Sequence, residues 1–318
     1  MEDQNKVYDV VVVGSGPSGL TAAIYTTRGA LSTAVIGGYN WGGQLMLTSM
    51  VDNFPGFSDG IMGPDLMENM KKQAVRFGAD FIQEDVLSVD FKSKPFKLTT
   101  SSSVINSKSV IIATGAETLW LNVPNEKELI GRGISSCAPC DAPFFRDKEV
   151  LVVGGGDSAM EEALILTKYA KHVTIVHRRN EFRASKAMQK RVFENNKISV
   201  EWNLDVQNVI GKDKFEGISV KNNQTNEIKE IFADGMFVAI GHKPTSKLFE
   251  GLIDLDEKGY IETPNIKKDD AKYKTMTNIE GVFVSGDIHD HTYKQAITAA
   301  GYGCMAGMEV VNYIAELN

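Results

Sequence analysis

The 318-residue chain is poor in cysteine, with three, and has neither a long basic run nor a long apolar one. Three cysteines are too few for a disulfide scaffold. A net charge of −7 without a basic run argues against nucleic-acid binding and otherwise favours solubility. No apolar run approaches the ~18 residues that suggest a membrane span. The polar stretch Met1 to Lys6 shows no signal or transit peptide and leads straight into a strand. The expectation is a cytoplasmic protein without a membrane or nucleic-acid partner. The length allows one large domain or two medium ones, at ordinary apolar and charged fractions.

What is present is a repeated pattern. Asp9 to Val13 is a short Val-rich run, suited to a strand buried on both faces of a parallel sheet, and it ends in Gly14-Ser15-Gly16-Pro17-Ser18-Gly19. Ala23, Thr26 and Ala30 then recur at helical spacing, Gly29 slackens the helix end, and Ser32 to Ile36 returns as a strand, completing a βαβ unit. Val150 to Val153 leads likewise into Gly154-Gly155-Gly156-Asp157-Ser158-Ala159, a helix face of Ala159, Ala163, Leu166 and Ala170, and the strand Val173 to Val176. Three further apolar runs end in glycine: Val110 to Thr114 before Gly115, Met236 to Ile240 before Gly241, and Val282 to Ser285 before Gly286. A glycine at a strand's carboxyl end lets backbone approach a ligand, and ligands of open α/β sheets bind at that end. Phe91 to Ser103 reads as a small antiparallel element and Lys221 to Glu230 as a hairpin tip.

The predicted fold is therefore α/β, with two Rossmann-like dinucleotide-binding domains of three-layer ββα type. Boundaries near Glu117 and Thr245 give an FAD-binding domain of residues 1–116 and 246–318, with an NADPH-binding domain of residues 117–245 inserted through two linker strands that act as a hinge.

In such a fingerprint the first glycine makes the tight turn, the second admits the pyrophosphate, and the third position packs helix on strand. The helix N-terminus then faces the phosphates. The acidic residue expected about 20 residues further on is missing in both units. In the second, the strand ends in His177-Arg178-Arg179, with Arg183 following. Guanidinium groups suit a ribose 2′-phosphate, which predicts NADPH over NADH; the alternative is a solvated charge run. In the first, Ile36 is followed by Gly37-Gly38, and this site is expected to hold FAD. Gly286-Asp287 lies at a strand end, with Asp287 aimed at ribityl hydroxyls. The helix from Tyr293 to Leu317, starting near Ala296, is expected to face the flavin's N1–C2=O edge and stabilise the reduced ring. The run Asp287 to His291 resembles a metal cluster, but no other ligands are evident and no metal is expected.

Between the two patterns lies Cys137-Ala138-Pro139-Cys140-Asp141. A Cys-x-x-Cys pair can form a disulfide across a turn, Pro139 stiffens the loop, and Asp141 can transfer a proton to a thiolate leaving group. Half of a zinc site and an inert buried pair are the rival readings. Zinc wants four ligands, and the remaining cysteine, Cys304, sits in an apolar helix where it reads as a small packed core residue.

With these residues in one order, the chain resembles the low-molecular-weight thioredoxin reductases over almost its full length. The likeness also rests on Gly-Gly-Gln-Leu at 42–45, Asn-Phe-Pro-Gly at 53–56, Ala-Thr-Gly at 113–115 and Tyr-Lys-Gln-Ala at 293–296. The resemblance implies a homodimer with FAD and NADPH domains in each subunit. It implies that Gly43, Gln44, Asn53 and Val86 line the flavin, as do Ala113, Thr114 and Gly115, and Gly286, Asp287, Lys294, Gln295 and Ala296. Gly154, Gly156, Asp157, Ser158 and Ala159, with His177, Arg178, Arg179 and Arg183, would hold NADPH. Cys140 would face the flavin, Cys137 would attack the disulfide of thioredoxin or a thioredoxin-like protein, and Asp141 would be the acid–base residue. One departure stands out: family members commonly have Gly after Cys-x-x-Cys-Asp, where this chain has Ala142-Pro143. Pro fixes φ and removes a donor, which bears on partner preference more than on flavin chemistry. The implied reaction is a relay from NADPH to FAD to Cys137–Cys140 to a protein disulfide. Rivals are a ferredoxin- or flavodoxin-type NADPH reductase, which needs no thiol pair, the reductase of a peroxiredoxin-type partner, and a non-catalytic redox sensor.

Overall fold

The computed structural model describes residues 6–48, 50–264 and 271–317. The chain divides into two compact units, Met1–Glu117 with Lys243–Asn318, and Thr118–His242.

The first unit opens with β1 (Val7–Val13), α1 (Pro17–Arg28) and β2 (Thr33–Ile36). Pro17 starts the helix, where its missing N–H costs nothing. The helix stops at Arg28 with Gly29 as its C-cap, so the end falls at the glycine and Ala30 lies just beyond it. Ala30 takes φ 61° while Gly29 keeps φ −78°, so the left-handed stop falls on the alanine. Leu31 N–H closes the end onto the Thr26 carbonyl at 3.1 Å. There follow β3 (Met50–Val51) paired with β4 (Ile61–Met62), α2 (Gly63–Arg76), β5 (Asp80–Ile82), β6 (Ser88–Asp90), β7 (Phe96–Thr99) and β8 (Val104–Ile112).

β9 (Ala116–Thr118) leads to the second unit: β10 (Ile134–Ser135), α3 (Ala138–Asp141), β11 (Glu149–Gly154), α4 (Asp157–Leu166), β12 (His172–His177), α5 (Lys186–Phe193) and β13 (Ile198–Trp202). The antiparallel strands β14 (Leu204–Ile210), β15 (Gly217–Asn222) and β16 (Ile228–Phe232) precede β17 (Gly235–Ala239). β18 (His242–Pro244) pairs with β9. The chain ends in β19 (Val282–Val284) and α6 (Ala296–Leu317).

The first unit's sheet runs β5-β2-β1-β8-β7-β6, with β19 also on β8. β5, β2, β1, β8 and β19 are parallel, whereas β7 and β6 add antiparallel. The Phe91–Ser103 segment therefore extends the main sheet rather than standing apart. Strand alternation sorts the core. Val10 and Val12 face α1, α2 and α6, while Val11 and Val13 face Phe91, Phe96 and Phe249. In the second unit the parallel sheet runs β10-β17-β11-β12-β13. Val150 and Val152 face the helices, and Leu151 and Val153 face the antiparallel sheet through Val209, Phe215 and Ile218. Ala170 lies past the end of α4, in the loop after a turn, yet is fully buried in the same core as Ala163 and Leu166.

Cys304 departs from the sequence reading. It is half-buried on α6, with Sγ 3.8 Å from Met308 Sδ, because the buried face runs through Ala299, Ala300, Gly303, Ala306 and Gly307. Position 304 turns off that stripe. Among the described residues no helix is long and apolar enough to cross a membrane.

Candidate active site

In the first unit, β1, β2, β8 and β19 end in register: Val13 lies opposite Ile36 and Ile112, and Val284 lies opposite Ile112. One sheet edge thus presents Gly14–Gly19, Gly37-Gly38, Ala113–Gly115 and Gly286-Asp287. A Cβ on Gly14, whose φ is 111°, would fall on the Ala113 carbonyl, and one on Gly19 on the Gly14 carbonyl. At Gly16 it would meet no protein atom within 4 Å. The second unit repeats this. A Cβ on Gly154 would strike the Ala239 carbonyl and come within 2.7 Å of Ala159 Cβ, while Gly156 faces open space. In both loops the protein closes around the outer positions and leaves the middle one clear for a pyrophosphate. α1 and α4 begin directly behind, with Gly16 and Gly156 as their N-caps.

Several side chains of the first unit converge on this edge. Ser15 Oγ donates to the Gly37 carbonyl at 2.8 Å and accepts from Gly42 N–H at 2.9 Å, tying the fingerprint to the segment carrying Gly43 and Gln44. A Cβ on Gly43 would lie 3.5 Å from Gly16 Cα. Asn53 Nδ2 donates to Gln295 Oε1 at 3.1 Å, and Thr114 Oγ1 to the Thr245 carbonyl at 2.9 Å. Ser18 Oγ and Ser285 Oγ share a short hydrogen bond. Lys294 Nζ donates to the His291 carbonyl at 2.7 Å, and α6 starts at Ala296. Val86 sits in the loop between β5 and β6, packed against the core.

Asp287 decides whether a flavin fits. Its Oδ1 is buried and has no hydrogen-bond partner in the protein. Burial, with Asp290 adding to it and Lys294 opposing, pushes this carboxyl up to about 6. A buried acceptor left over at the carboxyl edge suits a ligand hydroxyl, and a flavin ribityl chain supplies such groups. Nearby His289 packs edge-on against Tyr302, and burial pulls its pKa down to about 4. Among the described residues no three His, Cys, Asp or Glu side chains group to hold a metal.

In the second unit Arg178, Arg179 and Arg183 are exposed, and Arg183 N–H donates to the Gly155 carbonyl at 2.9 Å, stitching the basic segment to the fingerprint. Asp157 Oδ1 accepts from Ser185 N–H at 3.0 Å. His177 is turned inward and only 8% exposed. Its ring lies where a Gly155 side chain would be and packs against Phe182 and Trp202, with Nε2 3.0 Å from the Glu181 carbonyl oxygen. Burial, with Arg178 and Arg179 nearby, lowers its pKa.

Cys137 and Cys140 form a disulfide with Cα atoms 5.3 Å apart, across a four-residue helix, α3. Cys137 N–H donates to Ser135 Oγ at 3.0 Å, and the N–H groups of Cys140 and Asp141 donate to the Cys137 carbonyl at 3.2 and 3.0 Å. Both cysteines and Asp141 are half-buried. Ala138 N–H donates to the carboxylate of Glu162, on α4. The helix behind the second glycine fingerprint and the Cys-x-x-Cys disulfide are thus packed together within this unit.

The family model for pyridine nucleotide-disulphide oxidoreductase matches residues 8–303. The thioredoxin reductase of Streptomyces clavuligerus is 50% identical over 313 residues, 98% of this chain and 95% of that protein. The chain belongs to the thioredoxin reductases. The crystal structure of thioredoxin reductase from Streptococcus pyogenes MGAS5005 superposes with a TM-score of 0.90 at 37% identity, covering 98% of this chain and 99% of that one. Thioredoxin reductase from Giardia duodenalis gives 0.90 at 37% identity over 98% and 100%. FAD and NADPH are the cofactors of this family.

Against that family pattern, Ala142 after the redox motif is accommodated without strain. It is fully buried at φ −52°, ψ −36°, ordinary right-handed backbone, and Pro143 sits in the first turn of a 3-10 helix where no N–H is needed. Glu162 is the functional candidate that the sequence reading passed over, because Glu161-Glu162 looks like a solvated helix face. The available signal was its spacing, three residues after buried Ala159 and one before buried Ala163.

Proposed function

We propose that the unit of Met1–Glu117 and Lys243–Asn318 binds FAD, that Thr118–His242 binds NADPH, and that electrons leave through Cys137 and Cys140 to the disulfide of thioredoxin or a thioredoxin-like protein. The observation that carries this is the Cys137–Cys140 disulfide, closed on a helix that packs against the helix of a nucleotide fingerprint. Bound FAD supplies two-electron exchange between nicotinamide and disulfide. Gly16 and Gly156 admit the two pyrophosphates, and Asp287 accepts from ribityl hydroxyls. Arg178, Arg179 and Arg183 read the 2′-phosphate, favouring NADPH over NADH. His177, packed under Gly155, holds that basic segment in place rather than presenting a charge.

At the outlet, two electrons break the S–S bond, and Asp141 gives a proton to the departing sulfur. Asp141 takes that proton back as the Cys137 sulfur attacks a partner disulfide sulfur, and Cys140 gives up its own proton as it resolves the mixed disulfide, restoring Cys137–Cys140 and releasing the partner, protonated from these groups and water, as a dithiol. The working protein is a homodimer. Exposed apolar side chains on α1 and α6, including Tyr25, Met305 and the 54%-exposed Met308, favour a covered face there. The cytoplasm is the setting in which a Cys-x-x-Cys pair is catalytic rather than structural. Two linkers joining the units act as a hinge that alternates access to the flavin.

Cys137→Ser tests the reading. NADPH-driven disulfide reduction is lost while reduction of an artificial dye persists; unchanged disulfide reduction contradicts it.

A further inference from the structure

Beneath the redox turn lies a carboxyl that the relay does not use. Glu162 projects from α4 and accepts the N–H of Ala138, the fully buried residue that follows Cys137 and opens α3. The other amides of the turn bond close by: Cys137 N–H to Ser135 Oγ, and those of Cys140 and Asp141 to the Cys137 carbonyl. The Ala138 amide therefore links the turn to α4. Burial pushes the Glu162 carboxyl up to about 7, against the opposing pull of the Ala138 N–H, with Glu161 on its own helix and Asp141 on α3 adding to the rise. α5, β11, β12 and β17 also pack on α4, and none of them contributes a charge to that balance.

We propose that Glu162 is a positioning residue of the redox turn, a carboxyl that holds the Ala138 N–H and couples its own proton to thiolate formation at Cys137 and Cys140. This rests on reading that pair as the redox centre. Opening the disulfide with two electrons breaks one S–S bond and leaves a thiolate and, after one proton is taken up, a thiol. The new negative charge arises on a turn already gripped by a carboxylate. Two anions sharing a poorly solvated place raise each other's proton affinity, so the pair titrates in two linked steps. Glu162 takes a proton from water as the thiolate forms. It releases that proton when the thiolate is consumed in attack on a partner disulfide. Only an O–H bond is made and broken on Glu162, and no electrons pass through it.

The test is an alkylation profile. Holoenzyme is reduced with excess dithiothreitol, desalted without oxygen, and treated with iodoacetamide between about pH 5 and 9, with Cys137 and Cys140 read separately by mass spectrometry. Asp141→Asn in every sample removes the neighbouring carboxyl's own step. With Glu162 present, the rate rises in two steps. E162Q keeps an oxygen for the Ala138 N–H but no charge. Its profile collapses to a single, earlier step, with alkylation at neutral pH faster by about threefold for each half-unit fall in thiol pKa. E162D restores two steps. A purely structural carboxyl predicts superimposable profiles for Glu162 and E162Q, and that result overturns the proposal. Failure of NADPH to reduce the pair would instead overturn the relay, leaving this chemically reduced profile to stand by itself.

Discussion

Gly303→Ala isolates how tightly α6 clamps the first fingerprint. By helix propensity alone, alanine in a helix interior is better than glycine by about 0.8–1.0 kcal/mol. At position 303 the new Cβ would fall on the Ser18 carbonyl, 2.9 Å from Thr21 Cβ and 3.1 Å from Ala22 N. These are mainly backbone atoms of the first turns of α1, which cannot rotate away. Overpacking costs typically about 1–3 kcal/mol, and a backbone obstacle belongs at the upper end. Subtracting the propensity gain leaves a loss of about 2 kcal/mol, or about 4–8 °C in Tm for a domain of 150–250 residues. Because α1 begins inside the Gly14–Gly19 fingerprint, flavin retention, read as the ratio of absorbance of the yellow chromophore to protein, falls with it. Gly301→Ala is the control on the same helix, since its Cβ meets nothing within 4 Å and the residue is exposed. That variant melts at or slightly above wild type. A Gly303→Ala protein that melts with or above Gly301→Ala refutes the argument that backbone contact, not helix propensity, governs this position.

Removing Arg178 and Arg179 together raises the KM for NADPH by about tenfold or more, since even one hydrogen bond to a charged partner contributes about 1.5–3 kcal/mol, while NADH, lacking the phosphate, is used within about twofold of wild type. Equal losses with both nucleotides would contradict the assignment. Glu162 also leaves a mark on stability. Its folded pKa of about 7 lies above its ordinary 4.5, so between those values the folded state keeps a proton the unfolded chain has released. The contribution of this group therefore falls as pH rises from about 4.5 to 7 and stays low above. E162Q removes that part of the slope, as urea unfolding at a series of pH values will show; an unchanged slope contradicts the burial of the charge.

Much of this was legible because fingerprint chemistry is local. The strand–glycine–helix order at Gly14 and Gly154 fixed where two sheets present their carboxyl edges, and the spacing of Cys137 and Cys140 fits the disulfide found. What stayed hidden depends on packing between distant segments. The inward turn of His177 needs the Phe182–Trp202 cluster and the bare face of Gly155, and these meet only in the folded unit. The helix end at Gly29 was legible, but that the left-handed backbone falls on Ala30 rather than on the glycine was not. The apolar neighbours of Cys304 point to a core position, but the helix stripe at 303, 306 and 307 rotates it toward the surface. Glu162 escaped because spacing against Ala159 and Ala163 sets it beside the buried face but does not reveal the Ala138 amide that it meets there.

The central claim is that electrons from nicotinamide emerge on the sulfurs of one turn. Adding NADPH without oxygen to the flavin-loaded protein, then quenching in acid and counting alkylated cysteines by mass spectrometry, tests it directly. The account predicts that Cys137 and Cys140 both become labelled and that labelling of Cys304 does not change. A flavin that bleaches while Cys137 and Cys140 remain joined would contradict it.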